Sequence, residues 1–141
     1  MPPVFYRRKT GYIIIMKPIL LAIDDSPANL ELLKGLLECD YDVRPAKSGA
    51  MALKALERIR PGAVLLNMEM EGVSGFDVLN EIRRNRDFDA LPIVIVTPRK
   101  SGGYTARAAE YWVAGNVVKP YKAEELRAVI NKAVSAGVNI G

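Results

Sequence analysis

The sequence predicts an α/β fold: a doubly wound parallel sheet of five strands with five helices on its two faces. Three observations predict it. Short apolar runs alternate with stretches whose apolar residues recur at helical spacing. The runs are apolar throughout rather than at every second residue, which is the pattern of strands covered on both faces. Several runs also stop abruptly at a polar residue, and a buried parallel strand delivers a side chain to the rim of its sheet in that way.

The elements follow in order. Ile19-Leu20-Leu21-Ala22-Ile23 is the first strand, stopped by Asp24-Asp25. Ser26-Pro27 opens a helix, because serine caps the free N–H groups and proline lacks the N–H that would be unpaired in the first turn. Leu30, Leu33, Leu36 and Leu37 mark its apolar positions. Tyr41-Asp42-Val43-Arg44 is a weak second strand. Ser48 caps a second helix with Met51, Leu53, Leu56 and Ile59 as apolar positions, ended by Pro61-Gly62. Ala63 to Leu66 form the third strand, which ends at Asn67, and Gly72 closes the turn that follows.

Gly75 to Asn85 are a third helix with Phe76, Leu79 and Ile82 inward, and Ile93 to Val96 a fourth strand. Thr97 to Gly103 read as a loop with a glycine pair, and Tyr104 to about Ala114 as the fourth helix. Gly115 to Val118 are a short fifth strand ended by Lys119-Pro120. Ala123 to about Ala136 are the last helix, amphipathic through Leu126, Val129, Ile130 and Val134, with Gly137 as the stop.

Residues 1–15 stand apart. Pro2-Pro3, the Arg7-Arg8-Lys9 cluster and Gly11 break any periodicity, so they read as a leader or extension without structure, or as an extra strand or docking arm. Residues 16–141 form one domain, with half of the chain hydrophobic and able to build a core. Lys17-Pro18 and Asp24-Asp25 interrupt the apolar stretch, which argues against a secretion signal. No run approaches the ~20 apolar residues of a membrane span. The single cysteine, Cys39, excludes an intrachain disulfide and fits the cytoplasm. The absence of histidine excludes histidine metal ligands and histidine-activated nucleophiles. The net charge is +4, but Arg7, Arg8 and Lys9 carry three of it, and the remaining +1 over residues 16–141 leaves no basic stripe for nucleic acid.

The residues just beyond the strands are Asp24 and Asp25, Asn67, Thr97 and Lys119, all directed to one rim of a parallel sheet. Paired acids, a hydroxyl and a lysine suit a hard cation and a phosphoryl group, since oxygen ligands hold Mg²⁺ while the lysine and hydroxyl meet phosphate oxygens. Taken singly each is ordinary, an Asp pair being a turn and Lys-Pro a loop. An acid-rich rim would be expected to carry aspartate at the end of the third strand, and Asn67 stands there instead.

This constellation, with Ile23-Asp24-Asp25-Ser26, Val73-Ser74-Gly75-Phe76 and Val117-Val118-Lys119-Pro120-Tyr121, resembles the receiver domain of bacterial response regulators (CheY-like) over about residues 17–135. The resemblance implies a non-enzymatic module of a two-component phosphorelay. It implies Mg²⁺ held by Asp24, Asp25, Asn67 and the Glu69 carbonyl, Asn67 at the phosphoacceptor position, Thr97 and Lys119 as the residues that read the phosphoryl group, and a cis Lys119–Pro120 bond. It also implies a sensor histidine kinase or other signalling protein as partner. The contact or homodimer face would be formed by the fourth helix, fifth strand and fifth helix, carrying Tyr104, Arg107, Tyr111 and Asn116. Apart from the resemblance, the adjacent Tyr111 and Trp112 cannot both face the core squarely on a helix, and they read either as core packing with a rim residue or as an aromatic anchor for a partner.

Four departures separate this chain from that pattern. Asn67 is neutral and a poor nucleophile, so phosphorylation should fail and Mg²⁺ should bind weakly. Pro98 stiffens the loop after Thr97 and crowds it. Asn116 stands where the family commonly has a switch aromatic, and Glu71 replaces a common proline. The sequence therefore reads as a stand-alone, phosphorylation-impaired pseudo-receiver acting by contact. The alternative is an ordinary phospho-accepting regulator with an engineered Asp-to-Asn block, favoured by the retained Asp24, Asp25, Thr97 and Lys119. A flavodoxin-like ligand binder or enzyme ranks last, because no glycine-rich phosphate loop follows the first strand.

Overall fold

The computed structural model describes residues 4–7, 13–98 and 102–138. Its centre is a five-stranded parallel sheet built from β3 (Ile19–Ile23), β4 (Asp42–Ala46), β5 (Ala63–Asn67), β8 (Ile93–Thr97) and β9 (Gly115–Val118), in the spatial order β4-β3-β5-β8-β9. The chain leaves β3 to one side and returns to pair β5 on the other, so the order reverses between β3 and β5. A crevice opens at such a switch point beyond the carboxyl ends of the strands.

Every residue of β5 and β8 is buried, as the uninterrupted apolar runs require. Helices α1 (Pro27–Leu37) and α5 (Ala123–Val138) bury Leu30, Leu33, Leu37, Leu126, Ile130 and Val134 in one apolar layer together with Leu20, Leu65 and Val94. Helices α2 (Gly49–Leu56) and α3 (Gly75–Arg84) place Leu56, Phe76, Leu79 and Ile82 in the layer that holds Leu21, Leu66 and Ile95. Ser26, Ser48 and Ser74 each accept a backbone N–H at a helix start.

Several boundaries differ from expectation, each for a physical reason. Met51 is exposed because α2 turns Ala52 and Leu56, four residues apart, inward. Helix α2 stops before Pro61, where Arg60 donates to the Leu56 carbonyl at 3.0 Å and the Ile59 carbonyl at 3.3 Å. Helix α4 covers Gly102–Ala108, so the glycine pair begins a helix rather than ending a loop, and a 3-10 turn follows at Ala109–Tyr111. Helix α5 passes through Gly137, since glycine in a last turn weakens a helix without forbidding it. Between Asn67 and α3, strands β6 (Glu69–Met70) and β7 (Val73–Ser74) form a small hairpin, with Gly72 at φ 73 in the left-handed region that favours glycine.

Residues 1–15, read as a leader without structure or as an extra strand or docking arm, include strand β1 (Val4–Arg7), which pairs antiparallel with β2 (Ile13–Met16). The Val-Phe-Tyr and Ile-Ile-Ile runs have the branched and aromatic side chains that favour pairing. Pro2, Pro3, Arg8, Lys9 and Gly11, like Arg99, Lys100 and Ser101 of the expected loop, lie outside the described residues.

Arg83 of α3 explains where the α4 region stops. Its guanidinium donates to four carbonyls, of Phe88, Leu91 (2.9 Å), Tyr111 (2.8 Å) and Trp112 (3.2 Å), tying two loops to α3. Trp112 is turned to φ 55 and its side chain is 70% exposed. Burial lowers the Arg83 pKa, yet the charge persists because guanidinium titrates far above neutrality. Replacing Arg83 by Ala should lower the stability read by urea unfolding by about 3 kcal/mol, and Arg83→Lys should recover little, because an ammonium lacks the fork that reaches four acceptors.

Tyr41, between α1 and β4, is fully buried and its hydroxyl donates to Asn131 Oδ1 of α5. Burial, and then the charge of Asp40, push its pKa from 10.0 to about 12. The fold thus favours the protonated phenol. The stability this contributes is complete below pH 10 and is lost as pH rises through about 12. Tyr41→Phe should flatten that alkaline loss in pH-dependent unfolding while costing about 1 kcal/mol at neutral pH for the missing hydrogen bond.

Candidate functional site

Strand register brings the rim residues level. The Asp24 N–H bonds to the Ala46 carbonyl at 3.1 Å, the Met68 N–H to Val96 at 2.9 Å and the Lys119 N–H to Thr97 at 2.9 Å, so the strand ends are stitched together just where the polar residues begin. A cleft of about 630 Å³ lies there. Asp24, Asn67 and Lys119 line it, together with Leu32, Leu36 and Tyr121. These three sequence-identified residues are therefore brought together. Asp25, Thr97, Glu69 and Pro98 are not among the cleft's lining residues.

Asp24 is buried at 4% exposure, and its carboxylate is held at the start of α1. One oxygen accepts the Ser26 N–H at 2.9 Å and the other the Asn29 side-chain amide at 3.2 Å. The free N–H groups of the first helical turn favour an anion here. Burial, and then the charge of Asp24, raise the pKa of Tyr121, which keeps its phenol protonated. Asp25 is exposed, and its carboxylate accepts the Glu71 N–H at 2.7 Å, linking the first acid loop to the β6–β7 hairpin.

Asn67, at 5% exposure, bonds to the backbone of residue 69 at both ends of its amide. Its Nδ2 donates to the Glu69 carbonyl at 3.0 Å and its Oδ1 accepts the Glu69 N–H at 3.2 Å. The two bonds fix each other's direction, since an N–H needs the oxygen facing it and a carbonyl needs the nitrogen. The Glu69 side chain itself is exposed. Gly75 lets the hairpin return closely, because a Cβ there would lie 2.6 Å from Met68 Cα.

Thr97 is fully buried at the end of β8, and its hydroxyl donates to Asn116 Oδ1 at 3.0 Å. Asn116 Nδ2 in turn donates to the Thr105 hydroxyl at 2.8 Å. A polar chain thus runs from β8 through β9 to α4. On the α4 side Tyr104 stacks on Phe76 with ring centroids 5.6 Å apart, and Tyr111 is tilted against the same ring at 6.3 Å. The Arg107 guanidinium lies 4.0 Å above that ring. Tyr104, Arg107 and Tyr111 therefore gather on Phe76, while Trp112 projects from the turn beyond them.

Sequence reasoning missed Asn29, Thr105 and Arg83. Asn29 was within reach of it, because a polar residue three after the Ser26 cap faces back toward the helix entry. The partners of Thr105 and Arg83 come from distant segments and left no local signal. The Lys119–Pro120 peptide bond is cis, as the resemblance implied.

The donors do not fit the Mg²⁺ that the resemblance implies. Among the described residues no three carboxylate, cysteine or histidine side chains converge as a metal group. Asn67 brings no charge, and its N–H already occupies one of the two lone pairs of the Glu69 carbonyl.

Comparison with known proteins agrees with this architecture. The family model of the response regulator receiver domain matches residues 20–131. The chain is 30% identical over 124 residues to the protein PilH of Pseudomonas aeruginosa, covering 84% of this chain and 98% of that protein. It is 25% identical over 119 residues to the sensor histidine kinase TmoS of Ectopseudomonas mendocina, covering 84% of this chain but only 12% of the kinase. The crystal structure of a response regulator receiver domain protein from Clostridium thermocellum superposes with a TM-score of 0.75 at 28% identity, covering 84% of this chain and 94% of that one. With its five-stranded parallel sheet, its rim of acids, threonine and lysine, and a family match over most of its length, the chain belongs to the response regulator receiver domain family.

Proposed function

We propose that this receiver domain serves two-component signalling by protein contact and does not accept a phosphoryl group. The observation that carries this reading is Asn67. Phosphoryl transfer to a receiver needs an oxygen nucleophile at the rim, and a neutral amide engaged at both ends by residue 69 offers none. The hydroxyl of Thr97 is likewise committed to Asn116, which supports a switch residue held in one arrangement. The module acts alone in this reading, as a non-enzymatic cytoplasmic partner of a sensor histidine kinase or another signalling protein. Its contact face is the α4-β9-α5 side carrying Tyr104, Arg107, Tyr111 and Asn116, which also suits a homodimer. The exposed Trp112 adds an aromatic anchor of the kind that dominates contact energies. No helix among the described residues is long and apolar enough to cross a membrane.

A second reading has its own support. Asp24, Asp25, Thr97 and Lys119 all remain at the strand ends, which favours an ordinary phospho-switch blocked by a single engineered change. Intact mass after incubation with acetyl phosphate and Mg²⁺ separates the two. This chain should gain no phosphoryl group. If Asn67→Asp also gains none, the contact-only reading stands; uptake by the Asp form alone moves the blocked-switch reading ahead, and uptake by the unaltered chain overturns both.

A further inference from the structure

We propose that the side-chain amide of Asn67 replaces a divalent cation as the element that holds the rim loop, so that this receiver is structurally complete without metal. The inference deepens the contact-only reading and rests on it for the identity of position 67. The loop after β5 must turn back at once into the β6–β7 hairpin, leaving the Glu69 carbonyl and N–H beside the acid rim. A cation could tie that carbonyl to the carboxylates. Here Asn67 makes the tie itself, its Nδ2–H to the carbonyl at 3.0 Å and its Oδ1 to the N–H at 3.2 Å.

The charges at the rim are consistent with a site that needs no metal. Asp24 has the Ser26 N–H and the Asn29 amide as partners, and Asp25 has the Glu71 N–H. Each acid thus has donors from the chain, and the start of α1 adds its own positive end to Asp24. With Asn67 uncharged, position 67 adds no further anion to Asp24 and Asp25. An aspartate at 67 would change both features. A carboxylate has no N–H for the Glu69 carbonyl, so two acceptors would face each other, beside two existing negative charges. A divalent cation would then be the group able to relieve that repulsion.

The test compares the unaltered chain, Asn67→Asp and Asn67→Ala by thermal melting, in chelator and in millimolar Mg²⁺. The unaltered chain should melt at the same temperature in both. Asn67→Asp should melt several degrees lower in chelator and regain that loss in Mg²⁺. Asn67→Ala should melt lower in both, having lost the amide without gaining a ligand. Hydrogen exchange of the Glu69 amide in the unaltered chain, slow in chelator and unchanged by Mg²⁺, keeps the proposal open to refutation even if a variant does not fold. A melting temperature or Glu69 protection that rises with Mg²⁺ in the unaltered chain would overturn it, and so would an Asn67→Asp variant as stable in chelator as its parent or unresponsive to Mg²⁺. These readouts are independent of phosphoryl uptake. Mg²⁺ stabilisation without a mass gain sinks this inference alone, and a mass gain sinks the contact-only reading.

Discussion

A parallel sheet covered on both faces has no room for chemistry along its strands. The residues of β5 and β8 before their ends, Ala63 to Leu66 and Ile93 to Val96, are enclosed between helix layers, so a polar side chain there would lose water without finding a partner. Polar residues are therefore confined to the strand ends, and parallel pairing sends those ends to one rim. The reversal of strand order between β3 and β5 opens a gap at that rim, and Asp24, Asn67 and Lys119 all border it. The position of the site follows from burial before any reaction is considered.

At the rim the dominant consideration is how buried acids are satisfied. Asp24 is almost wholly enclosed, and an isolated carboxylate so placed would be costly. Donors at the start of α1 provide the compensation. Asp25, nearer to water, needs less and bonds across to the hairpin. Asn67 completes this arrangement by serving as donor and acceptor at once, a capacity that carboxylate lacks. An asparagine at position 67 thus differs from an aspartate there in hydrogen-bonding type as well as in charge.

The remainder of the structure carries the rim outward. Thr97, Asn116 and Thr105 join β8, β9 and α4 through side-chain hydrogen bonds rather than through an aromatic ring. Arg83 binds the two loops that frame the far side of α3, and Phe76 collects Tyr104, Tyr111 and Arg107 against α3. These ties leave Trp112 turned to water. The α4 region is held by ring contacts on Phe76 together with these polar and cationic ties, and Ala108 is fully buried in the core beneath it.

Much of this was legible in the chain itself. Strand runs such as Ile93 to Val96, the Ser26 and Ser48 caps and the residues at each strand end depend on neighbours in sequence, so local pattern sufficed to predict them. The resemblance carried by the rim motifs added the family. What local pattern missed had distant causes. The early stop of α2 comes from Arg60 capping its last turn, and the short α4 from Arg83, nearly thirty residues before the carbonyls it holds. Met51 looked apolar and inward, but the facing of α2 is decided by the sheet it packs on. By itself the sequence determined the fold class, the rim residues and the neutral residue at position 67, because burial and turn chemistry act over a few residues. Only the tertiary structure decided that Asp25 reaches Glu71 and that Thr97 is tied to Asn116, because those partners meet only once strands from separate parts of the chain lie side by side, and that the turn after β5 brings both ends of the Asn67 amide onto the backbone of Glu69, two residues on.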